Sequence, residues 1–273
     1  VLADVLRRAG IETLVITDGY CFPAVRAAAA AMDFPEAALV RYPHEPAACD
    51  TPASGETTAQ WRARFIARCR RIGLTHLVAI ERVGPAHTVE SLRQQARGGP
   101  PPADSFAAQV AETSADRCHN MRGEPIDEFA GDLHLLFEEL PLALPEVRTI
   151  GVGDGANEIG MGVIPWEDLS RRLSGEQAGR VPCRVPCDFT IVAGVSNWGG
   201  YALAAGFAYR RELRQLLEPH TAASQHRVLR AMVERGPAVD GVTRQQTATV
   251  DGLSFDEYIA PWLDIRRALD LVE

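Results

Sequence analysis

Residues 148–162 read RTIGVGDGANEIGMG. The opening Arg148–Val152 is a short β-branched run that predicts a buried strand. It leads straight into Gly153-Asp154-Gly155, and five glycines (151, 153, 155, 160 and 162) fall within a dozen residues. Glycine tolerates positive φ and lets another group approach the backbone closely. A strand feeding such a turn and then a helix would expose N–H groups at the helix start, which suits a phosphate or carboxylate. The string is neither GxGxxG followed by a ribose-binding acid nor GxxxxGK[ST], so a nucleotide fingerprint is absent. Asp154 and Glu158 stand four apart with Asn157 between them, and on a helix start they would share one side. In that position they would bind Mg²⁺ or Mn²⁺ through oxygen, or hold a substrate ammonium. The plain alternative is a capped turn in which Asp154 bonds nearby amides.

Outward from this stretch, strands and helices alternate. Glu12–Thr17, Ala38–Tyr42, Thr75–Ile80 and Phe189–Val195 read as further strands, and Asp18-Gly19 as a turn. Helices are predicted over Val1–Gly10, Pro23–Met32, Thr57–Ile72 (ended by Gly73), Ile126–Leu140, Tyr201–Leu217, Ser224–Arg235 and Phe255–Val272. Phe129, Leu133, Leu136, Phe137 and Leu140 form one apolar stripe on the fourth of these. Pro43–Gly55 reads as a loop, and Gln94–Ser105, with Gly98, Gly99 and Pro100 to Pro102, as a surface insertion. The alternation predicts one α/β domain over residues 1–273, with a mostly parallel sheet buried on both sides and helices on both faces. Such sheets place ligands at the C-terminal ends of their strands. Four expected strand ends carry polar residues: Asp18, Glu81-Arg82, the Asp154–Glu158 group and Ser196-Asn197.

Bulk properties narrow the function. A net charge of −8 and a pI near 5.4 argue against a nucleic-acid footprint. No apolar run reaches the roughly 18–20 residues of a membrane span, and no signal peptide is recognisable. The six cysteines are scattered. Cys183 and Cys187 lack a second ligand pair, so zinc is not expected, and reduced thiols in a cytoplasmic compartment are the default. Val1 opens inside a helical pattern without a cap, which suggests a chain that extends upstream.

Two further segments hold polar candidates. In Val195–Tyr201 (VSNWGGY), Ser196 or Asn197 would cap the following helix. Alternatively, Asn197 would donate to a substrate carboxylate, Trp198 would wall the pocket and Gly199 would let a ligand approach. With no histidine in the stretch, Ser196 is not expected to be a triad nucleophile. In Asp116–Gly123 (DRCHNMRG), Arg122 can clamp a carboxylate with its bidentate fork, Asn120 can bond a ligand, and His119 can exchange protons near neutral pH. The bland readings are a surface ion pair for Arg122 and a satisfied polar residue for His119. Glu81 is a candidate base, or a partner for Arg82.

Ile80–Gly84 (IERVG), His119–Gly123 (HNMRG), Thr149–Gly162 and Ala193–Leu203 (AGVSNWGGYAL) together resemble the D-glutamate cyclase-like C-terminal domain. That family stands alone in bacteria and forms the C-terminal half of mitochondrial D-glutamate cyclases. The resemblance implies a Rossmann-like α/β fold and conversion of D-glutamate to 5-oxo-D-proline and water. It also implies an amino-acid substrate, and a partner domain in the longer relatives. Chemically, this reaction needs a base for the ammonium, donors for the tetrahedral oxyanion and an acid to expel water. Glu81 or Asp154 is the expected base, and Arg122 the expected partner of the α-carboxylate. The Gly153–Asn157 amides, Gly155 included, would hold the oxyanion together with Asn197. Two alternatives stand beside it: a metal-assisted hydrolase or phosphatase using Asp154 and Glu158 around Mg²⁺ or Mn²⁺, and a non-catalytic amino-acid- or nucleotide-binding domain. The sequence departs from the family pattern in lacking an upstream TDGPPGA-like stretch, and in continuing IERVG with Pro85-Ala86-His87.

Overall fold

In the computed structural model, residues 1–44 and 56–271 are described. Their elements run α1 (Leu2–Arg8), β1 (Val15–Asp18), α2 (Phe22–Ala31), β2 (Leu39–Tyr42), α3 (Thr58–Ile72), β3 (His76–Ile80), α4 (Val89–Gln94) and α5 (Ala103–Gln109). After these come α6 (Asp127–Ala130), α7 (His134–Ala143), β4 (Arg148–Gly153), α8 (Trp166–Arg172), β5 (Phe189–Val192), α9 (Ser196–Arg210), α10 (Ala222–Arg235) and α11 (Phe255–Ala268). This is an α/β chain of Rossmann-like type, with parallel strands flanked by helices. Most of the loop expected over Pro43–Gly55, with Cys49, and the Val272 end of the last expected helix lie outside the described residues.

The chain divides into two compact units, Val1–Tyr42 with Asn197–Glu273, and Pro43–Ser196. In the first, β1 and β2 pair in parallel, Val15 opposite Leu39 through Asp18 opposite Tyr42. The alanine run of α2 lets α10 come close, and a Cβ on Gly236, which follows α10, would lie 2.3 Å from the Ala24 Cα. Asp4 is buried, takes the Arg8 guanidinium at 2.6 Å and lies 3.2 Å from Nε2 of the buried His220. A buried carboxylate needs such partners.

In the second unit the strand order is β3-β4-β5, all parallel. β4 is the buried middle strand, whereas Phe189 and Val192 of β5 are each 59% exposed. The expectation of strands buried on both sides therefore holds for β4 and not for β5, which lies at the sheet edge. Long apolar side chains also occupy exposed edge positions, so hydrophobicity alone does not place a strand at the centre. Ala79, Ala156, Ile159, Met161, Leu169, Val181, Val185 and both Cys183 and Cys187 form one core cluster. Burial pushes the Cys187 thiol up to about 12 and that of Cys183 higher still.

Capping behaves as the sequence suggests for α3. Thr57 and Gln60 make a reciprocal capping box, and Gly73 ends the helix at φ 64°. The helix expected over Ile126–Leu140 is instead interrupted: Gly131, at φ 55° and ψ 162°, breaks it into α6 and α7. Leu133, Leu136 and Leu140 are buried as the stripe requires, but Phe129, on the far side of the break, is 39% exposed. Within the Gln94–Ser105 segment, Gly98 to Pro101 are exposed. Gln95 anchors its start by donating to the Gly162 and Ile164 carbonyls and accepting from the Trp166 amide.

Candidate functional site

The glycine-rich stretch after β4 does not start a helix. It folds back over its own strand and leads to α8 only at Trp166. The glycines explain why. A Cβ on Gly151 would lie 2.5 Å from the Ile159 carbonyl oxygen, and one on Gly162 would lie 2.4 Å from that of Arg184. Gly160 adopts φ 107°. These contacts let two backbone layers pass at a separation that no side chain permits. Asp154 and Glu158 are therefore not successive turns of a helix, although the loop still brings them together.

Glu158 is the organising residue. It is 3% exposed, and its Oε1 accepts the Gly155 amide at 2.8 Å and the Asp154 amide at 3.3 Å. Its Oε2 is buried and finds no hydrogen-bond partner. Burial is the dominant influence on its acidity and pushes the carboxyl up to about 7, with the Gly155 amide opposing. Two of the amides expected to face an oxyanion thus face an internal carboxyl group.

Asp154 reaches the other way. Its Oδ2 accepts the amide of Ser196, the first residue of α9, at 2.7 Å. Ser196 is fully buried and its Oγ has no partner. Glu81 follows β3, and one of its carboxylate oxygens lies within 4.8 Å of one of Asp154. Glu81 adopts φ 54°. For a residue that is not Gly, Asn or Asp, this left-handed conformation costs about 1–3 kcal/mol. It is held from both sides: the Glu81 amide donates to the Val152 carbonyl at 2.8 Å, and the Arg82 carbonyl accepts from the Ile159 amide at 2.8 Å.

The His119–Gly123 segment lies against this loop. Asn157 donates from Nδ2 to the His119 carbonyl at 2.8 Å. The His119 ring is buried with Nδ1 unpartnered, and burial holds its pKa below the ordinary histidine value, so the imidazole is neutral at pH 7. Asn120 uses its side chain to build the next turn, accepting from the Arg122 and Glu124 amides and donating to the Glu124 carboxylate. Arg122 is exposed on that turn, and Arg82 is half-buried. Met121, absent from the sequence candidates, lies across Gly155: a Cβ there would fall 2.7 Å from its sulfur. Gly153 is equally restricted, with the Met161 Cε at 2.6 Å from a Cβ.

The remaining candidates belong to the other unit. Asn197 donates from Nδ2 to the Tyr258 hydroxyl at 3.0 Å, and Trp198 from Nε1 to the Tyr258 carbonyl at 2.8 Å. The Tyr258 hydroxyl also lies 2.7 Å from that of Tyr201, which bonds Gln225. Gly199 is buried within α9.

For a hard cation, Glu81 and Asp154 offer carboxylate oxygens within 4.8 Å of each other in the second unit. Glu158 is less suited, since its Oε1 already accepts two amides. No helix among the described residues is long and apolar enough to cross a membrane.

A family model described as D-glutamate cyclase-like, C-terminal, matches residues 107–263, more than half of the chain. Human mitochondrial D-glutamate cyclase is 43% identical over 81 residues, a stretch that is 30% of this chain and 11% of that protein.

Proposed function

Since this chain belongs to the D-glutamate cyclase-like C-terminal family, we propose that it closes D-glutamate to 5-oxo-D-proline with release of water. The observation that carries this reading is a set of carboxyl groups in opposite environments around one loop. Glu81 is exposed and strained beside Asp154, while Glu158 is buried, which pushes its carboxyl up to about 7. Environments that separate two carboxyl groups in this way assign one to base and one to acid chemistry.

In the proposed reaction Glu81, supported by Asp154, takes a proton from the substrate ammonium. The freed amine attacks the side-chain carboxyl carbon, so a C–N bond forms and a tetrahedral intermediate carries the negative charge. Glu158, protonated on Oε2, and Glu81, carrying the ammonium proton, each deliver one proton to the same departing oxygen, the C–O bond breaks and water leaves. The second proton on the attacking nitrogen passes to Glu158, so the nitrogen gives up two protons, the water gains two, and both carboxyl groups are restored. The Ser196 hydroxyl, buried without a partner, is assigned to donate to the intermediate's oxyanion. Arg122 holds the α-carboxylate, and the His119 carbonyl fixes the Asn157 side chain. Holding the substrate in its ring-closing conformer contributes in its own right.

The test is to incubate the purified chain with D- or L-glutamate and follow 5-oxoproline by chiral chromatography, with and without EDTA. Enzyme-dependent 5-oxo-D-proline, undiminished by EDTA, supports the proposal. The proximity of Glu81 and Asp154 favours one rival, metal-assisted hydrolysis, for which EDTA would abolish activity. Stabilisation by glutamate without turnover would instead make this a binding domain.

A further inference from the structure

Met121 sits at the apex of a turn whose shape is set by the chain around it. Asn120 Oδ1 accepts the amides of Arg122 at 2.9 Å and Glu124 at 3.1 Å, and the Gly123 amide closes on the Asn120 carbonyl at 2.8 Å. The turn is fastened to the catalytic loop by the bond from Asn157 to His119. Nothing in this arrangement needs methionine at the apex, and the side chain is 41% exposed. It nevertheless lies over Gly155, where a Cβ would meet the Met121 sulfur at 2.7 Å and Glu158 Oε1 at 3.1 Å. A large apolar group thus overhangs the loop that carries a buried, incompletely bonded carboxyl.

We infer that Met121 is the apolar cover of this site: it packs on the aliphatic carbons of the substrate and sets the chain length the site accepts. This rests on the cyclase reading above. Glutamate has two methylenes between its reacting groups, and these are the part of the molecule that no polar residue can recognise. An unbranched thioether adapts to such a surface.

Kinetics of the full chain with Met121→Ala and Met121→Leu test the inference, using D-glutamate as substrate and D-2-aminoadipate, one methylene longer, as competitor. Met121→Ala should raise KM for D-glutamate about tenfold with kcat within about twofold, and should narrow the preference for D-glutamate over the longer competitor by a similar factor. Met121→Leu, nearly equal in volume, should restore both. The urea midpoint should not move in either variant, because the side chain is half in solvent. An active unmodified chain with unchanged KM and preference in Met121→Ala would overturn the inference alone. An unmodified chain that never turns over D-glutamate would overturn the cyclase reading and this inference with it.

Discussion

The Glu158 carboxyl accepts the Gly155 amide at 2.8 Å from a position 3% exposed to solvent. Burial raises its pKa from an ordinary 4.5 to about 7. The folded chain therefore binds a proton at Glu158 between these values that the unfolded chain does not. The associated stability is complete below pH 4.5 and is lost as pH rises through 7. In urea unfolding, the stability of the unmodified chain relative to Glu158→Gln should fall between pH 5 and pH 8 by about 1–3 kcal/mol. His87, which burial and Arg97 push down to about 4, biases stability in the opposite direction. It is common to both proteins and cancels in the difference. Parallel pH dependences would show that Glu158 does not hold the proton.

Catalysis should carry the same signature. If Glu158 is the acid, kcat/KM falls above about pH 7 as it ionises, and Glu158→Gln removes that limb while lowering the rate overall. Glu81→Gln should lower kcat by a factor of about 10²–10⁴, the usual contribution of a positioned base. KM should change little, because Glu81 is assigned to proton transfer rather than binding. Full activity in Glu81→Gln would transfer the base role to Asp154.

Much of this arrangement was legible in sequence because strand ends are punctuated locally. Arg148–Val152 running into glycine marks β4, and Thr75–Ile80 delivers Glu81 to the matching end of β3. What followed β4 was misread for a physical reason. Glycine-rich turns after strands commonly lead into helices, but Gly151, Gly160 and Gly162 instead serve a backbone-on-backbone contact with partners at 159 and 184, and no local pattern encodes it. Gly131 has the same lesson: a continuous apolar stripe outvoted one glycine that breaks the helix. Met121 gives no signal at all, since a single apolar residue within a polar segment is ordinary. Asn120 looked like a ligand-binding side chain because its turn-forming role depends on Glu124 four residues later.

The glycine contacts make a sharp stability prediction. Gly151→Ala and Gly162→Ala each place a methyl within 2.5 Å of a backbone carbonyl oxygen. Neither partner can yield by rotating a side chain, so each should destabilise the chain by about 1–3 kcal/mol, as for overpacked cores. Gly98→Ala, with nothing within 4 Å of its Cβ, should stay within about 0.5 kcal/mol of the parent. Urea midpoints measure all three. Equal midpoints for Gly151→Ala and Gly98→Ala would mean that the loop can open without penalty.

Asp154 allows structure and chemistry to be separated at one position. Its Oδ2 takes the Ser196 amide at 2.7 Å, joining the end of β4 to the first residue of α9, while its carboxylate also lies beside Glu81. Asparagine keeps an oxygen for the Ser196 amide but removes the charge. Alanine removes both and leaves a buried amide unsatisfied, at a cost of about 1–3 kcal/mol. Asp154→Asn should therefore unfold within about 0.5 kcal/mol of the parent, while turnover drops at least tenfold if the charge supports proton transfer to Glu81. Asp154→Ala should lose both stability and turnover. Asp154→Asn with parental turnover would leave Asp154 a structural partner of the Ser196 amide, with Glu81 acting unaided.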